Sequence, residues 1–363
     1  MCSLTPLFHN LFDRQEEKGH HLSVYVPISY DYDEENIAAS GDYTTIDRTF
    51  HQWERYIFHL KHYRVLKSLF NLYDFKQFDL VHAHSLFSNG WLAWKIHQKF
   101  DLPYVVAVRS ADVRTFFAKA FWLRPLGQRI LEDAEEIFFI SANTYNEVFD
   151  RYIPSSKIAE LKAKSHILPN GIEDFWHENK ANHKSLDTHK PLEIVAVGKL
   201  LPEKGLPHLG DWVKRYHEEV SPAHLTVIGQ NWNETIHQEL LDNPVVTYLP
   251  PTDAKGLTKV YQDKDIFALL STRETFGLVY VEAMSQGLPV LYTAGEGFDG
   301  YFPNHEIGER IDVHDFDTFR KGIERILASY PHYVHHALKE SDRFDWDQIT
   351  SSYLKLYEEV LNR

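Results

Sequence analysis

The stretch that decides the fold is STRETFGLVYVEAM, residues 271–284, because it joins two kinds of element without a long loop. The apolar run Ile266–Leu270 leads into it and is typical of a buried strand. Gly287 and Pro289 follow it, and these residue types commonly end a helix. The segment therefore predicts a strand that turns directly into a helix over about residues 276–286, which is the repeating unit of a parallel α/β sheet.

Short apolar runs alternate with longer amphipathic runs in both directions from this segment. Helices are predicted at Trp53–Leu72 and Trp91–Phe100, where apolar residues recur three and four positions apart. The predicted strands are Leu22–Val26, Leu80–His82, Tyr104–Val108, Ile137–Ile140, His166–Leu168, Glu193–Val197, His224–Ile228, Val245–Tyr248, Ile266–Leu270 and Pro289–Tyr292. This alternation predicts the α/β class with parallel sheets.

A polar stretch divides the chain into two halves. ENKANHKSLDTHK, over about residues 178–190, is poor in large apolar side chains and is the best linker candidate. We therefore predict domains at 1–177 and 191–343, followed by an amphipathic helix over 344–363. A length of 363 residues fits two domains of ~150 each, and two such halves predict Rossmann-like domains facing a cleft.

Composition excludes several classes of protein. Asp and Glu number 52 against 38 Lys and Arg, and the resulting charge of −14 opposes general nucleic-acid binding. The single cysteine, Cys2, forms neither an internal disulfide nor a thiolate metal cluster. No run of ~18 apolar residues is present, and the amino terminus lacks the pattern of a secretory signal. We expect a soluble, cytoplasmic protein.

The helix that follows residue 275 predicts an anion site. Its first backbone N–H groups, from Phe276, Gly277 and Leu278, have no partners within the helix, and the helix dipole adds positive potential suited to a diphosphate. Glu274 precedes this helix and Glu282 lies in its second turn, so the two carboxylates bracket the site. Glu274 can reach the group beyond the phosphates, and Glu282 can accept two ribose hydroxyls. The alternative is an ordinary acidic helix start.

A second basic element, GKLLPEKG at 198–205, follows the strand Glu193–Val197 at the same sheet edge. Lys199 and Lys204, on a loop that begins at Gly198, are predicted to aim at one anionic centre. The alternative is a solvated surface loop.

In the first half, polar residues also follow the strands. His82 and His84 alternate along a strand end, which predicts that one of them, His84, faces the cleft. Histidines on predicted helices are interpreted as solvated, and no ligand spacing such as H-E-x-x-H indicates a metal site. These helix histidines are His59, His62, His97 and His217.

Several of these motifs together resemble glycosyltransferase family 4, retaining enzymes of the GT-B fold. Glu274–Glu282 is similar to the family's E-x7-E element, and Gly198–Gly205 to its G-R-x-x-x-x-K-G loop. His82–His84 resembles the family's first-domain H-x-H, and Leu168–Ile172 resembles its P-N-G approach to the linker. Leu288–Val290 also matches the family, as does the terminal helix Phe344–Val360, which in the family crosses back to the first domain. The resemblance extends over about residues 19–361.

The resemblance implies transfer of a sugar, with retention, from a nucleotide diphosphate sugar to a glycan or lipid-linked acceptor in cell-surface polysaccharide or glycoconjugate biosynthesis. Glu274 would hold the donor sugar and Glu282 the ribose, while Lys199 and Lys204 neutralise the diphosphate without a divalent metal. The remaining donor-binding candidates are Thr275, Phe276, Gly277, Leu278, Gly198, Asn170 and, near the base, Gly229 and Tyr248.

The chain departs from the family pattern at three places. Lys199 stands where Arg is usual, so the charge remains but bidentate contact is lost. Arg109 stands where a His is common, and arginine accepts no proton, which shifts sugar positioning to His84 and Asp112. Met1–Lys18 shows no opening strand or glycine-rich loop, which bears on acceptor binding. A non-catalytic partner of the same fold and a nucleotide-sugar epimerase are the alternatives, whereas an NAD dehydrogenase lacks its G-x-G-x-x-G.

Two segments mix cations with aromatic residues in this acidic chain. They are Arg114–Arg124 and Arg55–Lys67, and they predict a peripheral contact with an anionic membrane surface. The alternative is an amphipathic helix that buries its Phe and Trp in the first domain.

Overall fold

The computed structural model describes residues 6–32 and 41–363, and the chain divides by contacts into two compact units. The first unit holds the residues up to Ile140, residues 144–170 and Trp346–Arg363, and the second holds residues 141–143 and Gly171–Asp345. The boundary after Asn170 precedes the one placed at residue 177 from the sequence. The reason is that Ile172 and Trp176 are buried in the core of the second unit.

The first unit contains two parallel sheets. One pairs β1 with β2, and the other has the order β3-β4-β5-β6. Every residue of β4 is 0% exposed, as an apolar strand inside a covered parallel sheet requires. The strands are β1 (Val24–Ser29), β2 (Thr44–Phe50), β3 (Val81–Ala83), β4 (Tyr104–Val108), β5 (Glu136–Phe139) and β6 (Ser165–Ile167).

The second unit contains one six-stranded parallel sheet. Its strands are β7 (Leu192–Val197), β8 (Ala223–Ile228), β9 (Val246–Leu249), β10 (Ile266–Ala268), β11 (Val290–Thr293) and β12 (Gly308–Ile311). Their order is β12-β11-β10-β7-β8-β9, so β10 lies between β7 and β11. Residues 271–284 therefore leave the middle of the sheet, and the predicted α/β class with parallel sheets is confirmed.

Helices connect the strands in the alternating pattern predicted. In the described parts of the chain, no helix is both long and apolar enough to cross a bilayer. The helices are α1 (Pro6–Glu17), α2 (Phe58–Leu72), α3 (Ser88–Phe100), α4 (Arg124–Asp133), α5 (Ala142–Arg151), α6 (Ser155–Ala163), α7 (Asp174–Glu178), α8 (Leu206–Glu219), α9 (Glu234–Asp242), α10 (Ala254–Gln262), α11 (Leu278–Ser285), α12 (Phe316–Ala328), α13 (Tyr330–Ser341) and α14 (Trp346–Leu361).

The terminal helix α14 belongs to the first unit. Trp346, Ile349 and Tyr353 are buried in one apolar cluster with Phe12 of α1 and Val105 of β4. Burying such side chains stabilises a fold by ~1.5–3 kcal/mol each, so α14 is held firmly to this unit.

Two strands were missed from the sequence, β2 and β12. β2 has the sequence TTIDRTF, in which charged and hydroxyl side chains obscure the apolar alternation. β12 has only four residues and carries Glu309 in a buried position. Tyr333 donates to this carboxylate at 2.6 Å and Arg325 lies 3.1 Å away, so distant residues make the burial of Glu309 favourable.

The helix predicted from residue 276 begins two residues later. Gly277 is its N-cap with φ +92°, a left-handed conformation that a side chain disfavours. Phe276 therefore lies before the helix, and its side chain packs against the rings of Phe298, Tyr301 and Phe344 at centroid distances of 5.4 to 5.6 Å.

Candidate active site

Glycines bring two strand-to-helix loops of the second unit together beside the end of β9. Gly229 lies so close to Gly198 that a Cβ at Gly229 would overlap the Gly198 carbonyl oxygen. The Gly198 N–H donates to Ile228 O at 2.9 Å, and the Tyr248 hydroxyl donates to Gly229 O at 2.9 Å. The predicted residues Gly198, Gly229 and Tyr248 thus meet at the carboxyl edge of the sheet, as parallel topology requires.

The lysine loop packs against the end of the central strand. Gly205 adopts φ +62° beside the Leu270 carbonyl, and the Thr272 N–H donates to Glu203 O at 2.9 Å. These contacts hold Lys204 next to the segment that carries Glu274. Lys204 Nζ donates to Glu274 Oε2 at 2.7 Å, and the two side chains are only 21% and 11% exposed.

The Glu274 carboxylate also organises its own loop. Its Oε1 accepts the Thr275 N–H at 3.0 Å, while the Glu274 N–H donates to Glu296 Oε2 at 2.7 Å. The backbone N–H of Thr275 therefore already has a partner, and Glu296 is a supporting residue that the sequence did not indicate. No spacing or motif around Glu296 would have revealed it.

The start of α11 provides the positive end of the helix dipole that the sequence predicts near Gly277. The helix provides no partners for the N–H groups of Gly277, Leu278 and Val279, and Tyr280 N donates to Gly277 O at 3.0 Å. The prediction that Phe276 contributes a helix N–H is wrong because the helix begins at Leu278. Gly277 and Leu278 remain as donors suited to an anion.

Lys199 does not share a partner with Lys204 in this structure. Its side chain is exposed, and its Nζ lies 4.4 Å above the centroid of the Trp232 ring. Trp232 is 58% exposed, which is unusual for this residue type. The sequence signal that could have indicated this contact is a tryptophan among the polar residues that follow Gly229.

Glu282 lies within α11 in a poorly solvated position. Burial, with a smaller contribution from Glu173, raises the pKa of the Glu282 carboxyl to about 7. Within residues 6–32 and 41–363, neither a cation nor a hydrogen-bond donor contacts this carboxylate. A half-buried acceptor of this kind is suited to a ligand that brings its own hydroxyl donors.

In the first unit, His82 and His84 lie on the same face of the chain. Their rings stack with centroids 3.9 Å apart, so the expectation that only one of them faces the site is wrong. The reason is that side chains two positions apart along a strand point to the same side. His82 Nδ1 lies 2.5 Å from the Tyr357 hydroxyl, and burial lowers the pKa of His82 to about 3 and that of His84 well below its usual value.

Asp112 has a structural position rather than one open to a ligand. Its carboxylate accepts the backbone N–H groups of Leu86, Phe87 and Arg109 at 2.9 to 3.1 Å, which corrects the assignment of sugar positioning to Asp112. Arg109 Nε donates to the backbone carbonyl of His84 at 3.1 Å. Burial lowers the pKa of Arg109 and raises that of Asp112. Asn170 is half-buried in the loop after β6.

The basic aromatic segments divide between core and surface. In the turn Asp112–Phe117, Phe117 is fully buried, whereas Phe121 and Trp122 are each 65% exposed. Just before α2, Tyr56 is 91% exposed, whereas His62 within α2 is buried at 3% exposure. The interpretation of His62 as solvated is therefore wrong, because Phe58 and Trp91 pack against its ring.

Two further groups contain none of the predicted site residues. A cavity of about 700 Å³ in the second unit lies against β7–β9 and the linker, and two of its charged groups, Lys264 and Glu193, pair with each other at 2.6 Å. In the described residues, one group offers metal-ligand atoms within 4.8 Å of one another, Glu306, His336 and Glu340. Glu340 also has Lys339 at 3.3 Å and Arg343 at 3.1 Å, which compete with any cation.

Comparison with known proteins gives matches over nearly the whole chain. Residues 7–174 match the family described as Glycosyltransferase Family 4, and residues 178–342 match Glycosyl transferases group 1. The chain is 26% identical over 304 residues to D-inositol 3-phosphate glycosyltransferase of Mycolicibacterium smegmatis, a match that covers 78% of this chain and 68% of that protein. Other curated relatives of that name are matched over about two thirds of their length.

Solved structures share the fold at low identity. The lipopolysaccharide outer core galactosyltransferase WaaB superimposes with a TM-score of 0.73 at 15% identity, over 99% of this chain and 97% of that chain. Anabaena Alr3699/HepE in complex with UDP-glucose gives a TM-score of 0.61 at 13% identity, over 94% of this chain and 100% of that chain.

Proposed function

Because the chain belongs to the family 4 glycosyltransferases, with the GT-B fold of two Rossmann-like domains, we propose that it transfers a sugar with retention from a nucleotide diphosphate sugar. The acceptor is proposed to be a glycan or a lipid-linked saccharide in cell-surface polysaccharide or glycoconjugate assembly. The observation that carries the proposal is the contact of Lys204 with Glu274 beside the start of α11. The ammonium of Lys204 suits the negative charge of a diphosphate, and the carboxylate of Glu274 suits the hydroxyl donors of a sugar.

Each group of the second unit has a proposed partner on the donor. Lys204 and Lys199 would contact the diphosphate, together with the N–H groups of Gly277 and Leu278. Glu274 would accept hydroxyls of the sugar, and Glu282 would accept hydroxyls of the ribose. The exposed ring of Trp232, in the neighbouring loop after β8, lies against Lys199.

The chemistry that follows is electrostatic. As the bond between the anomeric carbon and the diphosphate oxygen breaks, negative charge grows on the diphosphate and is stabilised by the lysines and helix N–H groups. The acceptor oxygen bonds to the anomeric carbon on the same face, and its proton passes to the leaving phosphate oxygen. A single donor of this kind typically contributes ~3–4 kcal/mol to such a step.

Since two lysines supply the positive charge, we propose that no divalent metal is required. Unchanged turnover in excess EDTA tests this proposal.

Donor turnover in Glu274→Ala tests the function. With UDP-glucose, a donor bound by a structural neighbour, we expect the variant to lose about a hundredfold or more in transfer or hydrolysis. Glu203→Ala is the matched control because its side chain precedes Lys204 in the same loop and was assigned no donor contact. Equal turnover in the wild type and Glu274→Ala would reject the assigned role.

A non-catalytic partner of the same fold is the second candidate, and Arg109 favours it. An arginine whose Nε is bonded to the His84 carbonyl accepts no proton from an acceptor hydroxyl. Saturable binding of UDP-sugars without consumption, across a panel of acceptors, would support this candidate over the transferase.

A peripheral membrane contact is proposed for the first unit. Phe121, Trp122 and Tyr56 are exposed near the cations of the two basic segments, and aromatic residues beside cations favour the surface of an anionic bilayer. Flotation with anionic vesicles tests it, and the double variant Phe121→Ser with Trp122→Ser is expected to remain unbound. Equal flotation of this variant would contradict the proposal.

A further inference from the structure

The loop before β12 and the helix α13 bring three metal-ligating side chains together in the second unit. Glu306 comes from the loop, and His336 and Glu340 come from α13. One ligand atom of each side chain lies within 4.8 Å of those of the other two. None of the three residues was assigned a contact with the proposed sugar donor.

His336 and Glu340 lie on one face of a regular helix. They are four positions apart, which places them about one turn apart on the same side of α13. Glu340 is 7% exposed, and Nδ1 of His336 is a buried atom without a hydrogen-bond partner. With the ring proton on Nε2, this Nδ1 presents a lone pair to a ligand. A buried polar atom of this kind is stabilised by whatever binds it.

Glu306 is on a loop that its neighbour fixes in place. The carbonyl oxygen of His305 lies 3.1 Å from His332 Nε2 on α13, and its Nδ1 lies 2.5 Å from Glu309 Oε1 on β12. Glu306 Oε1 lies 3.6 Å from His336 Nδ1, which is longer than a hydrogen bond. Two ligands of a tetrahedral Zn²⁺ ion lie ~3.3 Å apart, so a small rotation of the side chains suits this pair to one ion.

The two cations that compete for the Glu340 carboxylate are surface side chains. Lys339 lies 3.3 Å from one carboxylate oxygen, with its side chain 63% exposed, and Arg343 lies 3.1 Å from the other, with its side chain 50% exposed. Ion pairs with exposed cations are weak because water solvates the cation when the pair separates. Arg343 also keeps a contact over the Tyr301 ring at 5.1 Å. A divalent ion can therefore displace both cations from Glu340.

We propose that Glu306, His336 and Glu340 bind one divalent transition-metal ion of the Zn²⁺ class. The two carboxylates balance the charge of the ion, and the imidazole selects against Mg²⁺ and Ca²⁺, which prefer oxygen ligands. Water takes the remaining coordination position. The ion links the loop before β12 to α13 and stabilises the second unit, and it takes no part in the proposed sugar transfer.

Competition with a chromophoric zinc chelator measures the affinity of the whole, metal-free protein. We expect one Zn²⁺ per chain to bind saturably, and excess Mg²⁺ to leave this binding unchanged. His336→Ala and Glu306→Gln are each expected to weaken the binding about tenfold or more, since even an outer group of a metal site contributes about this much. His335→Ala is the matched control, because His335 is an exposed histidine of α13 whose ring contacts His336 at 5.3 Å but which is not among the three ligands.

Removing a competing cation gives a result that ordinary binding of zinc to surface histidines does not produce. Arg343→Gln and Lys339→Gln are each expected to tighten Zn²⁺ binding, because each frees one oxygen of Glu340 from a cation. Zn²⁺ is also expected to raise the melting temperature of the wild type and to leave that of Glu306→Gln unchanged.

Three results would overturn the inference: no saturable Zn²⁺ binding by the wild type, equal losses in His335→Ala and His336→Ala, or unchanged binding in both Arg343→Gln and Lys339→Gln. The first would leave His336 and Glu306 as a simple ion pair. The proposed function fails separately, because a wild type that binds Zn²⁺ but consumes no nucleotide sugar refutes the transferase and leaves the metal site standing.

Discussion

Replacing Glu282 by Gln is expected to stabilise the protein at high pH. Burial raises the pKa of the Glu282 carboxyl from 4.5 to about 7, with a smaller effect of Glu173. Each tenfold change in proton affinity corresponds to ~1.4 kcal/mol, so the folded protein holds the ionised form at a cost of about 3 kcal/mol.

The direction follows from proton linkage. The folded carboxyl binds its proton more tightly than the unfolded one, so this contribution to stability is largest below pH 4.5 and is lost as pH rises to about 7. Glutamine carries no charge at any pH. We therefore expect Glu282→Gln to match the wild type near pH 4 and to exceed its unfolding free energy by up to about 3 kcal/mol above pH 7.

Urea denaturation at a series of pH values measures this difference. Glu218→Gln is the control because Glu218 is an exposed glutamate on α8. A stability difference between Glu282→Gln and the wild type that stays constant with pH would refute the reasoning.

The same carboxyl links nucleotide binding to proton release. Ribose hydroxyls that donate to Glu282 favour its ionised form, so UDP binding at pH 7 is expected to release about half a proton. Calorimetry in buffers of different ionisation enthalpy measures this number, and Glu282→Gln is expected to reduce it to near zero. Proton release that survives in the variant would show that another group titrates.

Two further predictions concern the backbone that supports the sites. Gly277→Ala is expected to lower the unfolding free energy measured by urea denaturation by about 2 kcal/mol or more, because φ is +92° and the added Cβ would lie 2.6 Å from the buried Tyr280 ring. Gly295→Ala is the control for backbone strain alone, since Gly295 has φ +78° and open space around it. Equal losses in the two variants would exclude a contribution from the Tyr280 clash. Asp112→Asn is expected to lower the unfolding free energy by about 2–3 kcal/mol, because the amide leaves one of the three N–H groups bound by Asp112 without an acceptor. A loss of only ~0.5 kcal/mol in urea denaturation would contradict the structural role of Asp112.

The sequence predicted best those elements whose burial is local and continuous. β4 appears at Tyr104–Val108, the predicted bounds, because an uninterrupted apolar run fits only a covered strand. β2 was missed because Asp47 and Arg48 interrupt its pattern, and their partners come from elsewhere in the first unit: Tyr25 donates to Asp47 at 2.7 Å, and Arg48 donates to the Tyr30 carbonyl at 2.8 Å. Such partners cannot be inferred from spacing along the chain.

The candidate site divides in the same way. The loops that carry Lys204, Glu274 and Gly277 were predicted together because parallel topology alone brings strand ends to one edge. The burial of His62 and the three N–H bonds of Asp112 depend on packing between helices, so polarity suggested exposure where the structure has a core.

The contact between Lys204 and Glu274 has a consequence for selectivity. An ammonium and a carboxylate 2.7 Å apart neutralise each other, so the pair itself offers little attraction to the small anions abundant in any cell. A free diphosphate would separate the lysine from its carboxylate and leave that carboxylate repelled, whereas an intact sugar nucleotide compensates both partners at once. The ion pair between Lys204 and Glu274 therefore competes with ligand binding, and only an intact sugar nucleotide gives both side chains a new partner when the pair separates.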